Sequence, residues 1–371
     1  MSEDERIAVG IVGTSWWADA MYLPALATHP HARLAAVCGR DEQKARLIAA
    51  RWNIPGVYAG YREMIERGGL DAVIVASANN THYDITMAAV DEGLHVLCEK
   101  PLALTYDQAR RMAEAADRQG IKHMVPFTYS YMPVMRYLKE LVDGGYIGRP
   151  YHLNMRYYTG YGRNGAYLWR FDVGKAGSGA VGDIGSHFLY LARHFFGDVS
   201  AVTCRLGHAV SRPSLDPHGQ PYEPADDMAA LLLEFDSGAQ GVIHVSTVAY
   251  EDTHFGQTHH VELHGSGGTL HGLCDWDTVQ RVEGARQGEG PAHPLPIPGH
   301  IWNGARRDTV HNTYRDIFRT QNVMAREFIS AIAENKPLRP NFHDGAYVQK
   351  LVECALLSHR EGRRVAVGEL P

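Results

Sequence analysis

Residues 71–103 read DAVIVASANNTHYDITMAAVDEGLHVLCEKPLA, and the reading of this stretch decides the fold. Residues 71–77 are a short apolar run rich in β-branched side chains, and residues 94–98 are another. Such runs read as strands buried on both faces of a parallel sheet. Between them Thr81 stands as a helix cap before the apolar stripe Ile85, Met87, Ala88, Ala89 and Val90, which stops at Glu92-Gly93. A strand, helix and strand in that order form a right-handed crossover, with both carboxyl ends on one edge. Open parallel sheets bind ligands outside those ends, so Asn79, His82 and Lys100 are expected to face one crevice, with Ser77 and Glu99 beside them. Pro101 favours an extended backbone at Lys100 and so aims its amine, which sets this lysine apart from a solvated surface residue.

The same rhythm of apolar strand and amphipathic helix extends over residues 6–126, with further strands expected at 7–12, 33–38 and 123–127. Thr105 and Gln108 have the spacing of a capping box, and Gly120 ends the helix they open. IAVGIVGTSWWADA, residues 7–20, is a strand entering a turn and a helix, the setting in which a glycine fingerprint grips a dinucleotide pyrophosphate. Gly13 serves the tight turn and Ala18 the close helix packing, but Ser15 replaces the middle glycine, and its hydroxyl offers a phosphate donor instead. Thr14, Ser15, Trp16 and Trp17 complete the expected cofactor turn. The two tryptophans read either as a nicotinamide wall or as a packing wedge. At the end of the second strand Gly39 occupies the place of a ribose-binding carboxylate. Arg40 follows it, which favours NADP, with NAD as the alternative, and Asp41 reads as the N-cap of the next helix.

From residue 127 the pattern changes to longer strand-like runs joined by short turns, such as Asp236-Ser237-Gly238. Runs at 151–158, 199–206, 228–235, 241–248, 259–264 and 269–273 predict a mixed, mostly antiparallel open sheet with helices on one face. The expected organisation is thus a doubly wound α/β domain over residues 1–126 and an α+β domain over 127–371. Val242, Val248 and Val261 are expected on the open face, and a covered apolar face implies a homodimer or homotetramer. Two breaker-rich stretches, 211–227 and 284–299, read as long loops.

Residues 179–195, GAVGDIGSHFLYLARHF, put Asp183 and His187 one helical turn apart. A carboxylate at that spacing orients an imidazole and stabilises its charged form, as a proton acceptor near neutral pH requires. A structural ion pair produces the same pattern. Gly177, Gly179, Gly182 and Gly185 shift the balance, because a stable helix disfavours such density and close ligand approach needs it. Tyr157, Tyr158, Tyr161, Tyr167 and Trp169 precede this helix and offer stacking surfaces for a sugar ring, with core packing the commoner use.

The chain has 371 residues with 36 basic and 42 acidic side chains, a formal charge of −6, which opposes binding to nucleic acid or anionic membrane. Its 5 cysteines are scattered and lack a C-x-x-C pair, so neither a disulfide framework nor a zinc knuckle is indicated and a reducing cytoplasm is expected. No apolar run of membrane-spanning length and no signal peptide is read. His259, His260 and His264 are the densest histidine group, but on a strand the last two would lie about 13 Å apart, too far to share a metal ion.

These segments together resemble the Gfo/Idh/MocA oxidoreductases, most specifically through CEKPLA at residues 98–103. Trp169-Arg170, the strand after Asp226-Asp227, residues 265–270 and the closing Val365-Ala366-Val367 agree with the likeness. Ala78 for a usual proline, Tyr190 for a frequent aspartate and Ser15 depart from it. The resemblance implies that Lys100 touches both nicotinamide ribose and substrate, and that Asp183 and His187 are the substrate-domain pair. Trp169 and Arg170 are expected at the cofactor, and Tyr129 and Tyr157 at the substrate. It implies hydride transfer at a carbinol or carbonyl carbon of a sugar or polyol, with His187 exchanging the hydroxyl proton, and no metal. A lyase or glycosidase-like enzyme using NAD transiently, or a dinucleotide-sensing regulator, are the alternatives.

Overall fold

A computed structural model describes residues 5–250 and 256–370. The chain divides into two compact units, one running to Thr128 and joined by Arg315–Tyr347, the other comprising Tyr129–Tyr314 and the residues from Val348 onward.

The first unit holds six parallel strands: β1 (Ile7–Val12), β2 (Ala32–Cys38), β3 (Gly56–Tyr58), β4 (Ala72–Val75), β5 (His95–Cys98) and β6 (His123–Met124). Their order, β3-β2-β1-β4-β5-β6, reverses direction at β1 and β4, and the crevice outside those two strand ends is where such sheets take a dinucleotide. Every residue of β4 is fully buried, as a strand covered on both faces requires. β3 escapes sequence reading because its three residues are only half-buried at the sheet edge. The caps fall as expected in two helices. Asp41 accepts from Lys44 N at 3.1 Å to open Glu42–Trp52, and Thr105 accepts from Gln108 N at 3.3 Å to open Tyr106–Gln119, which Gly120 closes at φ 66°. Thr81 does not cap its helix; its hydroxyl donates to Ala78 O at 2.7 Å.

The division differs from the sequence expectation in one respect, because residues 315–347 return to the first unit. Val125 N donates to Pro340 O at 3.1 Å, Phe342 N donates to His123 Nδ1 at 3.0 Å, and the Asn322 amide donates to Met21 O. These contacts join residues some 200 to 300 positions apart, which local periodicity cannot reveal.

The second unit is built on nine strands: β7 (Pro150–Thr159), β8 (Val199–Gly207), β9 (Met228–Phe235), β10 (Gln240–Ser246), β11 (Gln257–Gly265), β12 (Gly268–Asp275), β13 (Val279–Arg286), β14 (His293–Pro294) and β15 (Val365–Ala366). The order is β14-β13-β12-β11-β7-β10-β9-β8-β15, antiparallel except for β7 against β10. The helix Gly185–Phe196 lies on the inner face, where Phe188 is fully buried and meets Tyr157 at 5.5 Å. The outer face corrects one expectation. Val261 is fully buried on the inner side, Val248 lies beyond β10, and of the three valines Val242 alone is on the open face, 43% exposed. Polar side chains dominate that face instead, with Arg156 bonded to His260 at 3.0 Å, Asn154 to Glu262 at 3.3 Å, and His152 stacked on His264. Of the two expected loops, 284–299 contains the end of β13 and the short β14 that folds back onto it. Residues 211–227 are irregular but held by the buried Arg212–Asp227 pair, each side chain 1% exposed, and by Ala225 N donating to Phe171 O at 2.9 Å.

Candidate active site

In the first unit the turns at the ends of β1, β2 and β4 pack closely on one another. Gly13 has φ 127°, and a Cβ there would stand 2.3 Å from Ala76 O, so glycine alone fits between the ends of β1 and β4. Its N–H donates to Cys38 O at 2.9 Å, tying the turn to β2 as well. Gly39 is buried against Thr14, whose methyl group would lie 2.3 Å from an added Cβ, so the cofactor turn and the end of β2 interlock. Ser15 and Arg40 are exposed beside this junction. Asp41 is committed to its helix cap, which leaves no carboxylate at the expected ribose position.

Lys100 is fixed through its neighbour. Glu99 Oε1 accepts from Trp17 Nε1 at 2.5 Å and from the Tyr22 hydroxyl, and Oε2 accepts from Lys100 N at 3.1 Å. Burial raises this carboxyl above the ordinary glutamate range, while Tyr22, Lys100 and Trp17 pull it back. Glu99 is therefore an internal anchor, its oxygens facing three protein donors. Trp17 is explained by the same bond; Trp16 is 56% exposed.

His82 is likewise internal. Its ring is fully buried, with Nδ1 2.9 Å from Pro101 O and Nε2 3.2 Å from Ser77 O, so it clamps the ends of β4 and β5 together from behind the crevice. Burial lowers its basicity. Ser77 Oγ bonds Thr81 Oγ1 at 2.6 Å, and Asn79 is buried in the short turn Asn79–Thr81.

In the second unit Asp183 closes the short helix Ala180–Asp183, and His187 lies in the first turn of the next. Tyr161 donates to Asp183 Oδ2 at 2.6 Å, and Arg170 Nε stands 3.4 Å from the same oxygen with its guanidinium over Trp169. Arg170 and Trp169 are thereby part of the support for Asp183. The His187 ring is 4% exposed and stands 4.5 Å from that of Tyr129, whose hydroxyl is 2.7 Å from that of Tyr157. Tyr157 in turn donates to Gln257 Oε1 at 3.2 Å. Tyr129, Tyr157 and His187 thus form one cluster. The sequence reading missed its remaining members, His259 at 4.2 Å from Tyr157 and Trp276 at 6.0 Å from His259. The signal was the inward register of His259 opposite Tyr157. Burial pushes the His259 imidazole down to about 3, so it is a neutral ring in this wall.

The glycines around Asp183 have a different cause from the one expected. A Cβ on Gly179 would stand 1.9 Å from Asp226 O, and one on Gly182 2.1 Å from Ser178 Oγ. The close approach is of the protein to itself. Asp226 accepts from Gly179 N at 2.7 Å and Val181 N at 2.8 Å, capping the helix that ends in Asp183, while burial raises its carboxyl above the usual range. Replacing Asp226 with alanine strands both donors and is expected to cost about 2 kcal/mol or more of stability. Urea unfolding checks this, and an unchanged midpoint would contradict it.

All five cysteines are free and buried, and no group of three metal-ligating side chains occurs among the described residues. No helix among them is long and apolar enough to cross a membrane.

Residues 7–127 match the model of an oxidoreductase family with an NAD-binding Rossmann fold, and residues 135–271 match the Gfo/Idh/MocA C-terminal domain. The chain is 28% identical to levoglucosan dehydrogenase of Pseudarthrobacter phenanthrenivorans over 85% of each chain. It is 31% identical to D-xylose 1-dehydrogenase (NADP(+)) 2 of Haloferax volcanii over 62% of this chain and 66% of that one. A solved levoglucosan dehydrogenase in complex with NADH and L-sorbose superposes with TM-score 0.85 at 25% identity, covering 98% of this chain and 99% of the other.

Proposed function

From the premise that this chain belongs to the Gfo/Idh/MocA oxidoreductase family, we propose that it is a dehydrogenase of a sugar or polyol that prefers NADP. The observation that carries this reading is the anchoring of the backbone at Lys100: Glu99, gripped by Trp17 and Tyr22 from the helix after the glycine turn, accepts from Lys100 N at the carboxyl end of β5. The residues suit a dinucleotide, since the turn at Gly13 lies at the ends of β1 and β4, where doubly wound sheets take one, and Ser15 and Arg40 offer exposed donors beside it.

Bound there, the cofactor supplies the nicotinamide that accepts or returns a hydride. His187 takes the proton of the substrate hydroxyl on a ring nitrogen as the carbonyl forms, and returns it in the reverse direction. Asp183, steadied by Tyr161 and Arg170, orients that imidazole. Lys100 Nζ is a donor suited to a substrate oxygen that gains negative charge, a role strongest where water is excluded. The phenols of Tyr129 and Tyr157 hold hydroxyls away from the reacting carbon. The cofactor preference rests on Arg40, a guanidinium matched to a ribose 2′-phosphate. Arg40→Ala is expected to weaken NADPH binding by about 10- to 100-fold and to leave NADH binding nearly unchanged. Equal losses for both cofactors would remove the preference. We place the enzyme in the cytoplasm, where its buried thiols stay reduced, as a homodimer or homotetramer.

The test of the activity is near-ultraviolet absorbance of reduced nicotinamide on mixing protein, NADP+ and a panel of sugars and polyols. Net reduction with a free alcohol supports a dehydrogenase. Product formation without net reduction supports transient redox in a lyase, and dinucleotide binding without any reaction supports a regulator.

A further inference from the structure

The returning segment brings a cation to the cofactor turn. Arg319 lies in the π-helical turn Asp316–Thr320 of the first unit, and its guanidinium carbon stands 4.6 Å from the centre of the Trp16 ring. Trp16 directly follows Ser15 and meets Trp17 edge-on at 6.0 Å. Trp17 donates to Glu99, the neighbour of Lys100. A line of contacts therefore runs from Arg319 through Trp16 and Trp17 to the end of β5.

The segment that carries Arg319 is held in register. Asn322 sits at φ 24°, a conformation that persists only when its surroundings over-determine it. Its amide donates to Met21 O and its side-chain oxygen accepts from Ala325 N at 3.0 Å. Arg326 adds a bond to Ala25 O at 3.0 Å. Met21 and Ala25 lie on the helical run that begins just after Trp16, so Arg319 is docked against the same element that shapes the turn. The acidic residue of that run, Asp19, is already taken by Arg51 and by Trp52 Nε1 at 2.6 Å.

We propose that Arg319 is a cofactor-binding residue whose guanidinium takes a pyrophosphate oxygen of the dinucleotide seated on the Gly13–Ser15 turn, with the Trp16 ring holding its plane. In the glycine fingerprint the middle glycine lets the backbone approach the anion. Ser15 stands in that place here, where glycine is the residue that permits the closest approach. A guanidinium restores the lost donors, because its planar fork matches phosphate oxygens and its faces stack on aromatic rings.

This inference rests on the dinucleotide reading above, and calorimetric titration with ADP-ribose and NADPH separates the two. Arg319→Met is expected to weaken both ligands about tenfold. Arg319→Lys, which keeps the charge but not the fork, is expected to lose less. Raising the salt concentration should weaken the wild type more steeply than Arg319→Met, because the variant has one fewer charge contact to screen. Thermal unfolding of both variants should match the wild type. If the wild type binds neither ligand, the dinucleotide reading and this inference fall together. If the wild type binds both and folded Arg319→Met matches it within about twofold at every salt concentration, the inference alone is overturned.

Discussion

Lys100→Met is expected to lower kcat by about 100-fold or more while leaving the Kd of the dinucleotide near the wild-type value. Methionine keeps an unbranched apolar stem and removes only the ammonium group. The backbone N–H of residue 100 still donates to Glu99 Oε2, so the turn keeps its shape. What is lost in the proposed mechanism is the donor to the substrate oxygen as charge builds on it, an interaction made chiefly in the transition state. Steady-state kinetics with the best sugar or polyol, alongside calorimetry of cofactor binding, checks the split. Turnover close to that of the wild type would contradict the role given to Lys100. A parallel loss of cofactor affinity would make the lysine chiefly a ribose contact.

His187→Ala is expected to lower kcat by a similar factor, about 100-fold or more, for a different reason. In the proposed mechanism the imidazole carries the hydroxyl proton, and alanine removes it. His187 is also nearly buried and packs on Tyr129, so alanine leaves a void. His187→Gln fills most of that volume without restoring a base, and separates the two effects. Both variants should be slow if the ring is the proton carrier. If the glutamine variant recovers near-normal turnover while alanine does not, packing is the explanation and the assignment fails.

The first unit was legible almost throughout because its signals are local. Apolar runs mark β1, β2, β4 and β5, and Thr105, Asp41 and Gly120 punctuate the helices where their side chains and backbone conformations demand it. The edge strands β3, β14 and β15, each two or three residues long, carry too little pattern to be read. The return of residues 315–347 rests on Asn322 and His123 bonds between distant positions, which no window of sequence contains.

The site was legible in its residue types more than in its reasons. Asp183, His187, Tyr129 and Tyr157 all lie in the second unit, where Asp183 bonds Tyr161 and the His187 ring packs on Tyr129, while the helix expected to carry both Asp183 and His187 breaks between them. Of the glycines read as room for a ligand, Gly179 clears room for Asp226 and Gly182 for the Ser178 hydroxyl, since a glycine records close approach but not what approaches. His82 and Glu99 lie next to the crevice in sequence yet point inward, as clamp and anchor. His259 was weighed only as a metal ligand, whereas its alternation on β11 puts it in the wall beside Tyr157.

The most direct measurement is the fate of the transferred hydrogen. With NADP+ and a fully carbon-deuterated sample of whichever sugar or polyol supports turnover, mass spectrometry of the dinucleotide should find one deuterium in each reduced nicotinamide formed. Reduced cofactor that carries no deuterium, or sugar product released with the dinucleotide left oxidised and unlabelled, would contradict hydride transfer by this enzyme.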